Sequence, residues 1–323
     1  LVPLSLLILL RTEVKNDIFK SLTKWMAIIC GITIPFYIVF LFGVPLHSEI
    51  IQYDNLDVRN YYFFITETNP FFLRFTSIFY EPGFLSIGII PLLYINKLNL
   101  KNPSVLILLA AAILSFSLAA LILLFGMLLI FSFDKNNKRL KIWSRITVIL
   151  FFIIASSVIT NLEEDSYIYL TIASRMKFDE TTGTIRGNNR TSEDMIYLYE
   201  HTKDKPQIIY GLGRNKILFF YEIFNMRGGN AGFIIYIMTY GIIGVFLALV
   251  FFVIYYYNFR CYNTLGLLLI FMALLYQNCY WNWSAVLFAF ILGTEILYYD
   301  NKKIRNYNQY DRTHVLSSNT SLQ

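Results

Sequence analysis

Residues 104–133 run for thirty positions without one ionisable side chain. A bilayer crossing needs only about 20 apolar residues, so this run is too long for one helix and strongly apolar for any soluble element. Ser115-Phe116-Ser117 lies at its middle. The run reads as two short helices that turn at the serines, with one long tilted helix as the alternative. Similar apolar blocks cover residues 1–10, 25–46, 83–95, 143–160, 229–257, 264–280 and 283–299. Charged residues make up 15% of the 323, against about a quarter in soluble domains. The expected fold is therefore all-α: a polytopic transmembrane helix bundle of about nine spans over residues 1–299, with a polar tail at 300–323. The chain begins at Leu1, and residues 1–10 look like the end of a span, so further spans are expected ahead of it. No basic segment precedes them, as a signal peptide would require.

Charge orients the bundle. The loops 11–24, 96–103, 134–145 and 258–263 together with the tail hold 16 Lys/Arg and 5 Asp/Glu. The alternate segments, 47–83 and 161–230, hold 11 Lys/Arg and 15 Asp/Glu. Lys and Arg concentrate in short cytoplasmic loops, so residues 161–230 face outward. A single span at 104–133 would break this bias, which favours the two-helix reading. The net charge of +6 sits in short loops between spans, which argues against nucleic acid as a partner. Glu295 is the ionisable exception within the spans, placed near a cytoplasmic end where water is in reach. Ion-coupled transporters put charges inside the bundle, so this composition argues against one. Cys30, Cys261 and Cys279 fall in a span, a loop and a span end, and form no disulfide framework. No CxxC or His/Cys cluster is present, and no metal or other cofactor is expected.

The long polar stretch 161–228 carries the chemistry-bearing residues. Thr191 or Ser192 reads as a helix N-cap, with Glu193 and Asp194 in the first turn. Met195, Ile196, Leu198 and Tyr199 give that helix an apolar side, and Pro206 stops it. The loop is thus partly helical. Arg186 and Arg190 flank a Gly-Asn-Asn turn, and guanidinium forks suit phosphate. Gly211-Leu212-Gly213-Arg214 adds a turn able to offer backbone N–H groups to an anion, beside a cation. A solvated, charge-balanced loop with headgroup contacts is the plain alternative. Glu163-Glu164-Asp165, just outside a span, is where a metal-dependent lipid-sugar transferase would hold its ion, though three such acids are more often surface. A second candidate segment is Arg74 to Gly83, ending Glu81-Pro82-Gly83 at the outward start of a span. It reads either as a helix N-terminal box or as a charged pair at the membrane surface awaiting a ligand.

Arg74 to Gly83 resembles the Arg…Phe…Glu-Pro-Gly signature of bacterial O-antigen polymerases. Arg190, the helix after it, Pro206 and Gly211-Leu212-Gly213 resemble the outer-loop pattern of the O-antigen polymerase and ligase superfamily. Leu114 to Ser117 and Gly241-Ile242-Ile243-Gly244 fit the same order, so the resemblance covers about residues 60–250. Ligases of that superfamily carry a His-Asn pair where the loop meets the next span; here Gly228-Gly229-Asn230 stands there, which favours polymerase. The resemblance implies a metal-independent glycosyltransferase of the bacterial inner membrane, with its long loop periplasmic. It would join undecaprenyl-diphosphate-linked oligosaccharides and act alongside a flippase and a chain-length regulator. It implies catalytic roles for Arg190, Arg186 and Glu81, and diphosphate binding by Arg74, Arg214, Gly211 and Gly213. Glu81 would either orient an arginine or act as base. A ligase and a polysaccharide flippase are the rival readings.

Overall fold

The computed structural model describes residues 8–53, 56–67, 74–134, 141–150, 178–179, 184–185, 193–223, 232–277 and 287–303. Thr12–Leu41 is one helix, α1, about 45 Å long at 1.5 Å per residue. The sequence reading ended a loop at residue 24. Instead, Lys15, Lys20 and Lys24 ride on the first turns of α1, with Lys20 and Lys24 exposed and Lys15 buried at 2%. Beyond α1 a three-stranded antiparallel sheet forms from β1 (Glu49–Tyr53), β2 (Leu56–Asn60) and β3 (Ile65–Glu67), with Ile50 opposite Arg59 and Arg59 opposite Thr66. The expected all-α fold did not include this sheet, whose strands are three to five residues long. Aromatic contacts fasten it to the last turns of α1: Phe36 stacks on Phe63 at 4.0 Å, and Phe40 meets Tyr61 at 5.0 Å.

Pro82–Ile95 forms α2, with Pro82 at its first turn, where a missing N–H does no harm. Eleven of its 14 residues are buried, which makes it the axis of the bundle. Around it pack α1, α3 (Pro103–Leu114), α4 (Leu118–Ser132) and α10 (Tyr262–Gln277). Helix α5 occupies residues 141–150, α9 is Gly232–Asn258, and α11 occupies 287–303.

The run 104–133 is two helices, as expected. Ser115 Oγ donates to Ala112 O at 2.7 Å and accepts from Ser117 N at 3.3 Å, while Ser117 Oγ caps α4 at Ala120 N. Phe116 takes φ +43° between them. Each serine thus satisfies backbone groups that the break in the helix would leave unpaired, which matters most in apolar surroundings. At 12 and 15 residues, α3 and α4 are about 18 and 22 Å long, short of a hydrocarbon core of about 30 Å. Among the described residues two helices, Thr12–Leu41 and Ile234–Asn258, are long and apolar enough to cross a membrane. Both present large apolar side chains outward, among them Trp25, Ile32, Phe246 and Leu247.

Contacts between elements sort the turns into two ends. At one end Lys97 pairs with Asp300 at 3.0 Å, Tyr94 OH donates to Asn263 O at 2.9 Å, and Tyr262 OH donates to Ile130 O at 2.7 Å. Arg145 Nε reaches Ser132 O at 3.1 Å at this same end. Lys15 pairs there with Glu295 at 2.6 Å. The opposite end holds the sheet, residues 74–81, the Ser115–Ser117 turn and the start of α9. There Phe75 N donates to Leu114 O at 3.2 Å, and Thr33 and Ser77 share a hydroxyl bond of 2.9 Å.

Glu295 corrects the reading that gave it access to water. It is 5% exposed, and its Oε1 accepts from both Lys15 Nζ and Tyr255 OH, each at 2.6 Å. Lys15 also donates to Ile8 O at 3.0 Å. The first turn of α1, the end of α9 and α11 are therefore pinned through one carboxylate.

Candidate functional site

Residues 193–223 fold against a break in α9. At Gly241 the helix leaves helical geometry, with φ +71° and ψ 176°. Three short helices pack beside the preceding half: α6 (Glu193–Thr202), α7 (Gln207–Tyr210) and α8 (Arg214–Ile223). Ile217 and Met238 form a small buried core there, flanked by Leu198, Tyr199, Leu212 and Phe220. The expected partly helical loop is present over residues 193–223, and α6 ends before Pro206, which opens α7. Its expected cap, Thr191 or Ser192, lies outside the described residues.

The turn Gly211-Leu212-Gly213 sits in the break. Leu212 N donates to Met238 O at 2.7 Å and Gly213 N to Thr239 O at 3.1 Å, while Gly211 N closes back on Gln207 O at 2.7 Å. The interrupted helix would otherwise leave the Met238 and Thr239 carbonyls without donors, which is costly for a backbone group out of reach of water. Contact is backbone on backbone. Gly211 has φ +82°, and a Cβ there would collide with the Thr239 carbonyl. A Cβ on Gly241 would run into the Ile209 carbonyl. Gly213, at φ +83°, faces open space, so its glycine serves conformation alone.

This changes the chemistry assigned to the turn. All three of its amides already bond to carbonyls, so it does not offer them to an anion; it joins loop to helix. Arg214 stands exposed at the head of α8, next to the plugged break. Lys203, by contrast, is bonded to the Glu200 carboxylate, which holds its pKa above the usual lysine value and neutralises it locally.

Glu81 is the residue before α2. It is exposed, its backbone is extended at φ −136°, and its carbonyl accepts from Phe84 N at 3.1 Å. Arg74 is half-buried at the start of the segment whose Phe75, Thr76 and Ser77 are fully inside. Ile65 N donates to Ser77 O at 2.9 Å, so Arg74 and Glu81 bracket a segment locked between sheet, α1 and α3. Two candidate groups thus lie at the same end of the bundle: Arg74 and Glu81 around α2, and Gly211, Gly213 and Arg214 around α9. Arg186, Arg190 and the acidic triplet Glu163-Glu164-Asp165 lie outside the described residues. Among the described residues no group of three His, Cys, Asp or Glu gathers. No protein-family model, no curated protein and no solved structure matches the chain.

Proposed function

We propose that the chain is a multi-pass glycosyltransferase of the bacterial inner membrane that polymerises undecaprenyl-diphosphate-linked oligosaccharides, the O-antigen polymerase class. The observation that carries this reading is the folded outer loop seated in the break of α9, with Arg214 at its edge and the Arg74–Glu81 segment at the same end. A catalytic loop needs such anchoring, because a misplacement of about 1 Å can reduce rate a hundredfold. In the proposed reaction an acceptor hydroxyl oxygen bonds to the anomeric carbon of the donor chain. The bond from that carbon to undecaprenyl diphosphate breaks, and the hydroxyl proton leaves to a carboxylate, for which Glu81 is the candidate. Arg190, Arg186, Arg74 and Arg214 would stabilise the departing diphosphate. The grouping of basic turns at the end opposite the loop supports a periplasmic placement of residues 161–228.

A transporter is the second reading, and one observation favours it. Lys15, Glu295 and Tyr255 form a buried polar cluster inside the bundle, and broken helices line binding sites in transporters. The discriminating experiment is the lipopolysaccharide or capsule ladder of a deletion strain. Loss of the ladder with one repeat unit retained on its final acceptor supports polymerase. Loss of every repeat unit from the surface supports a flippase or ligase and sinks the polymerase reading.

A further inference from the structure

A second feature of the bundle is far from the loop 193–223. It is a cavity of about 1000 Å³ at the end of the bundle that holds Lys15 and Lys97. Its walls are apolar side chains of α3 and α4, such as Leu109, Phe125 and Leu128, closed on one side by α5. Its mouth is ringed by Lys20, Lys97 and Lys101, with Asp300 the one acid among the lining residues. Lys97 already pairs with Asp300, and the Lys20–Asp17 pair is exposed at 3.8 Å and so worth little. Among the described residues, the mouth therefore keeps two cations without a strong partner acid, Lys20 and Lys101.

Ser144 supplies an independent sign. It belongs to the cavity wall, is 2% exposed, and its hydroxyl finds no hydrogen-bond partner among the described residues. A buried hydroxyl without a partner costs free energy, so a ligand acceptor in the cavity would remove a standing penalty. Beside it Trp143 is 62% exposed, as a residue at the level of lipid headgroups would be.

We infer that this cavity binds one anionic phospholipid, with acyl chain along Leu109, Phe125 and Leu128, and headgroup phosphate between Lys20, Lys101 and the Ser144 hydroxyl. An apolar groove, a cationic mouth and a lone hydroxyl donor match that one molecule in order. A zwitterionic lipid would fill the groove equally but brings its own cation to the lysines. This inference rests on the chain lying in a bilayer and is independent of the polymerase reading, which the glycan ladder tests separately.

The test uses the full chain, purified in detergent, stripped of lipid, then exposed to equal amounts of phosphatidylglycerol and phosphatidylcholine. Retained lipid is counted by native mass spectrometry. One phosphatidylglycerol per chain is expected, in clear excess over phosphatidylcholine. Lys20→Gln with Lys101→Gln should weaken retention about thirtyfold, each lysine near a lipid phosphate contributing about fivefold. Leu128→Trp, which fills the groove and leaves the lysines, should abolish retention while the protein stays monodisperse. Equal retention of the two lipids, or retention indifferent to both variants, overturns the inference. So does displacement of the lipid by millimolar inorganic phosphate, which would mark a plain anion site.

Discussion

Replacing Glu295 should unsettle the end of the bundle that holds Lys15 and Lys97. Its Oε1 accepts from Lys15 Nζ and Tyr255 OH at 2.6 Å each, and Lys15 and Glu295 are 2% and 6% exposed at the side chain. Glu295→Leu leaves a buried ammonium with only the Ile8 carbonyl, a loss of about 3–5 kcal/mol. The Tyr255 hydroxyl keeps only the long bond to Ile291 O at 3.5 Å, adding about 1 kcal/mol. Lys15→Met should lose about 3–5 kcal/mol in turn, since the carboxylate keeps only the tyrosine. The double variant removes both charges and leaves the Tyr255 hydroxyl its weak bond to Ile291 O, so it should lie within about 2 kcal/mol of the parent. The singles and the double therefore must not add: a coupling of at least about 3 kcal/mol is expected. Equilibrium unfolding in detergent micelles, followed by tryptophan fluorescence, measures each corner of the cycle. If the double variant loses the sum of the singles, the pair is not a closed buried unit and the reasoning fails.

Three further outcomes concern the loop 161–228 and its placement. Gly211→Ala should detach the turn from Met238 and Thr239, and trypsin should cut at Lys203 or Arg214 more than about tenfold faster, because two bonds of about 1 kcal/mol each and a left-handed backbone are lost together; unchanged cleavage would refute the plug. Arg190→Lys keeps charge but not the planar fork, so it should fail nearly as badly as Arg190→Ala, with a rate loss of about a hundred- to a thousandfold and glycans stopping at one repeat unit. A full ladder from Arg190→Ala at normal expression removes Arg190 from the reaction. Alkaline phosphatase fused near Asn188 should be active and near Asn137 silent, and the reverse pattern would invert the topology.

Much of the bundle was legible because its signals are local. Ser115 and Ser117 interrupt an apolar run, and each can bond backbone within three residues of itself, so the hairpin between α3 and α4 can be read from spacing. Pro206 and Pro82 likewise mark helix edges through missing N–H groups. The rest depends on residues far apart in the chain. Lys15 looks like one more basic loop residue until Glu295, 280 positions away, is set beside it. A lone acid in one apolar run and a lone lysine on the flank of another were the available sign, but a pairing cannot be read from either alone. Gly211-Leu212-Gly213 looked like an anion turn because free glycine amides and docked ones have identical sequence. Only the break at Gly241 tells them apart. The sheet at 49–67 escaped because its strands are too short to show alternation, and aromatic contacts with α1 hold them.

The meeting of Gly211 with Gly241 also restricts how such a chain can change over generations. Where side chains touch, a large residue on one partner can be offset by a small one on the other, and lineages drift through such exchanges. Here main chain lies on main chain at both positions, so neither has a smaller alternative to offer. A substitution at one glycine has no second-site remedy at the other. Selection for suppressors of Gly211→Ala should therefore return true revertants or changes elsewhere in α6–α8, and never a compensating residue at 241.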